Sequence, residues 1–159
     1  MILVCFLFLY NIAWGATIDG KVVGVADGDT ITILDVSNVQ YKIRLAGIDA
    51  PEKKQDFGNV SKQSLSDMVF NQLVRVDWVK TDRYGRIVGK VFLNNLDVNL
   101  EQIKRGMAWF YRKYQNELIL EDRLNYLHAA ENAINQRMGL WLQKDPIAPW
   151  NFRKASRSN

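Results

Sequence analysis

Residues 22–45 read VVGVADGDTITILDVSNVQYKIRL and carry the clearest structural signal in the chain. Three short runs rich in β-branched residues, at 22–25, 30–34 and 41–45, are separated by an Asp-Gly and a Ser-Asn turn signal. Such runs favour strands, and short turns join strands that run antiparallel. The sequence therefore predicts three consecutive antiparallel strands at the start of the folded domain.

The rest of the chain adds strands and helices to this unit. Apolar spacing predicts a helix after Gly58, and alternating patterns predict strands near 73–79 and 86–93. Two further helices are expected after Val98, and the second ends at Gly139. The apolar residues of this second helix fall on one face: Leu120, Leu124, Leu127, Ile134 and Met138. The pattern predicts an α+β fold, a five-stranded OB-type β-barrel with three packed α-helices, a shape known for binding oligonucleotides.

The N-terminal segment differs in composition from the rest of the chain. The first 16 residues contain no charged side chain and hold an apolar run at 2–10, which is too short for an ordinary membrane span. Together with the small residues Ala13 and Gly15, this run predicts a secretory signal peptide over 1–15. An uncleaved N-terminal anchor is the alternative. We expect a secreted or periplasmic protein with no stable membrane association after processing.

The remaining residues fit one domain, because a single core typically serves a chain of this length. We place the domain at 16–145 and a basic C-terminal extension at 146–159, in which Trp150 and Phe152 are expected to dock against the domain. The only cysteine, Cys5, lies in the predicted signal peptide, so no disulfide is expected in the mature protein. A monomer is expected.

Charge and residue types narrow the chemistry. The formal net charge of +4 suits a polyanionic partner, although the basic residues are scattered, as on any soluble surface. The chain has one histidine, His128, on a predicted helix. Because there is no second histidine, catalytic mechanisms that need two histidines are excluded. No mature cysteine is available as a nucleophile or zinc ligand. Metal-assisted chemistry with oxygen ligands remains.

Three motifs group carboxylates with arginines: DGDT at 27–30, RLAGIDAPE at 44–52 and DRYGR at 82–86. An Asp-Gly pair alone is an ordinary turn, and a lone arginine is usually a surface residue. Asp49 and Glu52, however, add two carboxylates at a strand end, where they can converge with the first pair on one divalent cation. Arginine binds phosphate with a planar fork and stays charged. The combination predicts a site for phosphodiester hydrolysis.

The order of these motifs closely resembles the thermonuclease family, whose best-known member is staphylococcal nuclease, over about residues 22–141. This resemblance implies that Asp29 and Asp49 bind Ca²⁺ directly and that Ala50 contributes its backbone carbonyl. It also implies that Asp27 does not bind the metal directly but supports the residues that do. The best-known member has threonine at the position of Ala50, and a backbone ligand survives that change.

The resemblance also implies catalytic and binding roles. Arg44 and Arg86 are expected to clamp the scissile phosphate. Glu52 is expected to act as general base or to orient the attacking water, and both roles stay open. The residues expected to contact nucleic acid are Tyr84, Tyr114 and Arg83. Aromatic rings stack on bases without sequence preference, although core packing is an alternative reason for an aromatic residue.

We therefore expect an exported, calcium-dependent endonuclease that hydrolyses DNA and RNA with little sugar specificity and prefers single strands. A catalytically inactive OB-type nucleic-acid-binding module is the alternative. One geometric condition applies to either reading of the site. Arg44 and Asp49 would face opposite sides of a regular strand, so a shared site requires a bulge or sharp turn near Ala46 and Gly47.

Overall fold

The computed structural model describes residues 15–157. The signal peptide predicted over 1–15 therefore lies outside the described residues, apart from Gly15. Within the described part of the chain, no helix combines the length and apolar character needed to cross a membrane. The first strand begins at Ala16, directly after the predicted signal peptide.

Eight strands form in the described residues, and five of them close into a barrel. In chain order they are β1 (Ala16–Asp27), β2 (Thr30–Leu34), β3 (Gln40–Leu45), β4 (Ile48–Asp49), β5 (Leu73–Thr81), β6 (Ile87–Leu93), β7 (Leu96–Asp97) and β8 (Trp109–Phe110). The barrel order is β3-β2-β1-β5-β6, with antiparallel neighbours, and a parallel pairing of β3 with β6 closes it. The predicted five-stranded OB-type barrel is confirmed.

Alternation along the strands explains how the interior of the barrel is filled. In β2 the side chains of Ile31 and Ile33 are fully buried, and in β3 the same holds for Ile43. Successive side chains of a strand point to opposite faces, so these isoleucines fill the interior while the alternate residues Thr32 and Lys42 are less buried. Burial of each such side chain stabilises the fold by about 1.5–3 kcal/mol.

Four α-helices surround the barrel. They are α1 (Gly58–Val69), α2 (Val98–Lys104), α3 (Leu120–Asn135) and α4 (Pro149–Arg157), and short 3-10 helices lie at 112–117 and 139–142. The Asp97 side chain caps α2 by accepting a hydrogen bond from the backbone N–H of Leu100. The first three helices match the predicted ones, whereas α4 is an additional helix that the C-terminal extension forms.

Of the apolar face predicted for the third helix, Leu127 packs against the core, but the other positions are exposed. Leu120, Leu124 and Ile134 are exposed, and the buried positions of α3 are Tyr126, Ala129, Ala130 and Ala133. Small alanines let the helix backbone approach its neighbours closely, which leucines would prevent. The helix also ends before Gly139, because Arg137 has a φ of +53° and breaks the helical path.

Candidate active site

Every residue that the sequence assigns to the site lines one cleft of about 960 Å³ at the edge of the barrel. These residues are Asp27, Asp29, Arg44, Asp49, Ala50, Glu52, Arg83, Tyr84, Arg86 and Tyr114. The cleft also receives side chains from the C-terminal helix, among them Trp150 and Arg153. The three motifs, which are separated in sequence, thus share one space.

The turn between β1 and β2 fixes the first two carboxylates. The backbone N–H of Asp29 donates to Oδ1 of Asp27 at 3.0 Å, and the Thr30 hydroxyl donates to Oδ1 of Asp29 at 3.0 Å. Gly28 is required here, because a Cβ at this position would lie 1.7 Å from Oγ of Ser61. Burial, followed by the neighbouring Asp29 charge, raises the pKa of Asp27 to about 7.

A sharp turn at Ala46 and Gly47 brings the second motif back to the first. Gly47 has a φ of +73°, which a residue with a side chain rarely adopts, and β4 follows immediately. The carbonyl of Ala46 accepts a hydrogen bond from the buried Asn99 side chain at 3.0 Å, which holds the turn against the barrel. The turn predicted from the Arg44 and Asp49 spacing is therefore present.

Arg44 joins the two acidic motifs. Its Nη2 lies 3.2 Å from Oδ2 of Asp29 and 3.0 Å from Oδ1 of Asp49, while its Nη1 donates to the carbonyls of Leu45 and Ile48. Oδ2 of Asp29 also accepts the backbone N–H of Ala50 at 2.6 Å. The two predicted calcium-binding carboxylates and the Ala50 backbone are therefore neighbours.

Asp49 is the most deeply buried acidic residue of the cleft, with 1% of its surface exposed. Burial raises the pKa of Asp49, and the hydrogen bond from Arg153 and the Arg44 charge offset only part of that rise. Its position is fixed by the pairing of β4 with β8, in which Asp49 lies opposite Trp109. A buried carboxylate of this kind requires a positive partner.

Arg153 is a site residue that sequence reasoning missed. Its Nη1 donates to Oδ1 of Asp49 at 3.2 Å and to Oε1 of Glu52 at 2.7 Å, and its Nη2 donates to Oδ2 of Asp49 at 2.8 Å. The hydrogen bond to Asp49 raises the pKa of Arg153 still further above its usual range. The available signal was the helical run PWNFRKASR, which places Trp150 and Arg153 one turn apart.

The loop of the third motif forms the opposite wall. The Asp82 carboxylate accepts hydrogen bonds from the backbone N–H groups of Tyr84 and Arg86 and from Nε of Arg86, the last at 2.7 Å. Partial burial raises the pKa of Asp82, but these hydrogen bonds outweigh it and lower the pKa overall. The guanidinium carbons of Arg83 and Arg86 lie 4.8 and 5.5 Å from the centre of the Tyr84 ring.

Aromatic rings line the floor toward the C-terminal helix. Tyr114 is 40% exposed and Tyr84 is 65% exposed, so neither belongs to the core. The Tyr114 ring meets the Tyr111 ring edge to face at 4.9 Å, and Tyr111 stacks face to face on Trp150 at 5.1 Å. Trp150 therefore docks on the domain, as the sequence predicts, and both Tyr84 and Tyr114 keep exposed surface in the cleft.

The donor chemistry of the cleft fits a hard divalent cation. Asp29 and Asp49 present oxygen atoms that converge on one Arg44 nitrogen, next to the Ala50 backbone. Calcium accepts irregular shells of carboxylate and carbonyl oxygens. Among the described residues, no three His, Cys, Asp or Glu side chains already form a metal-ligand group, and Arg153 spans Asp49 and Glu52 instead.

The barrel and this cleft define an α+β OB-type domain with carboxylates and arginines gathered at one site. The family model described as staphylococcal nuclease homologue matches residues 42–143. The chain is 43% identical over 139 residues to an uncharacterized endonuclease of Haemophilus influenzae, a match that covers 87% of this chain and 75% of that protein.

Two further relatives point the same way. A micrococcal nuclease of Shigella flexneri is 39% identical over 155 residues, covering 92% of this chain and 86% of that protein. The staphylococcal-like nuclease CAN1 of Arabidopsis thaliana is 37% identical over 119 residues, covering 74% of this chain and 35% of that protein. The chain belongs to the family of staphylococcal nuclease homologues, which confirms the resemblance drawn from its motifs.

Proposed function

We propose that this protein is a calcium-dependent endonuclease that hydrolyses phosphodiester bonds in DNA and RNA. The observation that carries the proposal is the convergence of Asp29, Asp49 and Glu52 with Arg44 and Arg86 in one cleft. Membership of the family and the names of its relatives support nuclease activity. A binding module without catalysis would need no buried carboxylates in a cleft that must accept a polyanion.

The carboxylates of Asp29 and Asp49 and the Ala50 carbonyl are the groups that would hold the cation. When bound, calcium supplies positive charge that draws a phosphate into an otherwise acidic site and polarises it. Magnesium demands a tighter octahedral shell and retains its waters, so we propose that it supports less turnover than calcium.

Arg44 and Arg86 would bind the scissile phosphate from two sides of the cleft. Asp82 holds Nε of Arg86, so the terminal nitrogens of that guanidinium are the ones oriented by the loop for a fork contact with phosphate oxygens. Both groups stay charged at any working pH, and they stabilise the charge that collects on the phosphate oxygens in the transition state.

Glu52 would activate or orient the attacking water. It follows β4 and Pro51, and its side chain is 38% exposed, so it is reachable by water while it stays close to Asp49. A carboxylate at this position removes a proton from water or fixes its direction of attack, and both assignments remain part of the proposal.

The exposed rings of Tyr84 and Tyr114 favour unpaired nucleotides as substrate. Bases that are splayed out of a duplex can stack on such faces, and each stack is worth about 1–3 kcal/mol. Arg83, which lies over the Tyr84 ring, would add a phosphate contact. We therefore propose a preference for single-stranded or breathing nucleic acid, with little discrimination between sugars.

Export is part of the same proposal. The apolar run at 2–10 and the small Gly15 support signal cleavage, and β1 starts at Ala16, where the mature chain would begin. N-terminal sequencing of the protein from the periplasm or medium should start at Ala16 or Thr17. An exported form that still begins at Met1 would contradict cleavage.

Two substitutions test the catalytic assignment. Glu52→Gln should lower the rate constant of cleavage about 10²–10⁴-fold through loss of base catalysis, and Arg86→Ala about 10²–10³-fold through loss of one preorganised donor. Single-turnover cleavage of a labelled oligonucleotide measures both. The matched controls are Glu117→Gln, a carboxylate in the same cleft, and Arg75→Ala, a half-exposed barrel arginine. A catalytic variant that keeps more than about a third of wild-type turnover loses its assigned role.

A further inference from the structure

The C-terminal helix delivers a guanidinium to the acidic centre of the cleft. Arg153 forms a two-point contact with Asp49, through 3.2 and 2.8 Å hydrogen bonds, and a third contact with Glu52 at 2.7 Å. Charge-assisted, two-point contacts between a guanidinium and a carboxylate are roughly twice as strong as hydrogen bonds between neutral groups. Arg153 therefore binds one proposed calcium ligand and the proposed base at the same time.

Aromatic contacts hold α4 in this position. The Trp150 ring stacks on Tyr111 with planes 3° apart and meets the Trp109 ring edge to face at 5.6 Å. Just before the helix, the Gln55 side chain donates to the carbonyl of Ile147. α4 is a nine-residue helix that packs beside the barrel strands, and its Arg153 side chain lines the cleft.

The contacts of Arg153 conflict with those that a cation would make. A calcium ion that takes both Asp49 oxygens, or one of them together with Glu52, needs atoms to which Arg153 already donates. The hydrogen bond from Arg153 also occupies Oε1 of Glu52, the carboxylate that would contact the attacking water. The cleft as described satisfies its carboxylates with an internal cation.

We propose that Arg153 competes with calcium for Asp49 and Glu52 and thereby sets the calcium concentration at which the site fills. The proposal rests on the calcium site of the proposed function. Displacement is feasible because the Arg153 side chain is 34% exposed and needs only to turn toward solvent, whereas Asp49 is fixed in β4. The C-terminal extension is then a determinant of cation affinity.

Calcium titration of the purified protein in the absence of nucleic acid tests this competition directly. By isothermal titration calorimetry, Arg153→Gln should lower the Kd for calcium about tenfold or more, because a competing charge within hydrogen-bond distance is removed. Arg153→Lys keeps the charge but loses the fork, so its Kd should fall by only about two- to threefold.

Arg157→Gln is the matched control. It removes the same charge from the same helix one turn further on. Because solvent and salt screen this exposed side chain, the calcium Kd should change by less than about twofold. Circular dichroism of each variant shows that the barrel is folded. A structural role of Arg153 alone would weaken or preserve calcium binding and would not tighten it.

The outcomes separate this inference from the proposed function. An unchanged or higher calcium Kd in Arg153→Gln overturns the competition, even if wild-type protein cleaves nucleic acid with calcium. If Arg153→Gln binds calcium more tightly than wild type but wild type cleaves no nucleic acid, the competition is supported and the nuclease is contradicted. If neither wild type nor Arg153→Gln binds calcium, the competition is overturned. Cleavage with another cation in that case would still support nuclease activity.

Discussion

Two arginines reach Asp49 from different parts of the molecule, and their surroundings differ. Arg44 belongs to β3, has a side chain only 14% exposed, and donates to the carbonyls of Leu45 and Ile48 as well as to carboxylates. Arg153 belongs to α4, is 34% exposed, and among the described residues donates to the carboxylates of Asp49 and Glu52. A guanidinium tied to backbone carbonyls is a fixed part of the site. One held by carboxylates can be exchanged for another cation.

The largest expected effect follows from replacing Arg44, the fixed guanidinium. Arg44→Gln should lower kcat about 10²–10³-fold, because a phosphate donor is lost, and should lower the free energy of unfolding by about 3 kcal/mol or more, because the buried Asp29 loses its arginine partner and the buried Asp49 loses one of two. Arg153→Gln should change the free energy of unfolding by less than about 1 kcal/mol, because Arg153 is partly exposed and the buried Asp49 keeps Arg44 as a partner.

Urea unfolding of both variants, monitored by circular dichroism, measures this contrast. Equal losses of stability in Arg44→Gln and Arg153→Gln would show that the two guanidiniums are equally built into the fold. That result would remove the distinction between a fixed and an exchangeable arginine.

The same contrast shows which parts of the site were predictable from the sequence. Asp29, Arg44 and Asp49 lie in short motifs whose spacing on strands and turns brings them together locally. Because Arg44 and Asp49 would face opposite sides of a regular strand, the sequence also required the turn at Gly47. Arg153 lies 104 residues from Asp49, and the geometry of α4 against the barrel depends on ring packing that no local pattern encodes.

The packing face of α3 was not predictable for a related reason. Leucine spacing favours one face, but Tyr126 donates to the Asp97 carboxylate and its ring meets Phe110 edge to face, so the helix turns its alanines inward. The buried face of α3 is therefore set by tertiary packing and not by the spacing of its leucines. The barrel strands gave no such ambiguity, since a period of two leaves only one buried face.

A smaller effect is expected when the pH is changed. The free energy of unfolding of the metal-free protein should depend on pH, because the clustered carboxylates need added positive charge. Because the pKa of Asp27 is raised from 3.8 to about 7 in the folded protein, its contribution to stability is complete below about pH 3.8 and is lost as the pH rises toward 7. The metal-free protein should therefore be more stable at pH 5 than at pH 8, by about 1–3 kcal/mol.

Urea unfolding at the two pH values in the presence of a chelator measures this difference. Asp27→Asn should reduce it, with Asp49, whose pKa is also raised, supplying the remainder, and Asp67→Asn, which changes a carboxylate on α1 outside the cleft, should leave it intact. Higher stability at pH 8 than at pH 5 in the metal-free wild type would mean that Asp27 is already compensated in the folded protein.

The most direct test of the central claim measures binding and cleavage on one preparation. Wild-type protein should cleave plasmid DNA and RNA when calcium is titrated into the millimolar range, should stop when chelator is added, and should cleave little with magnesium. Asp29→Ala should bind an oligonucleotide as well as wild type, since a negative charge is lost, yet show no cleavage. Wild-type protein that binds DNA but does not cleave it at any calcium concentration would contradict the nuclease and leave a binding module.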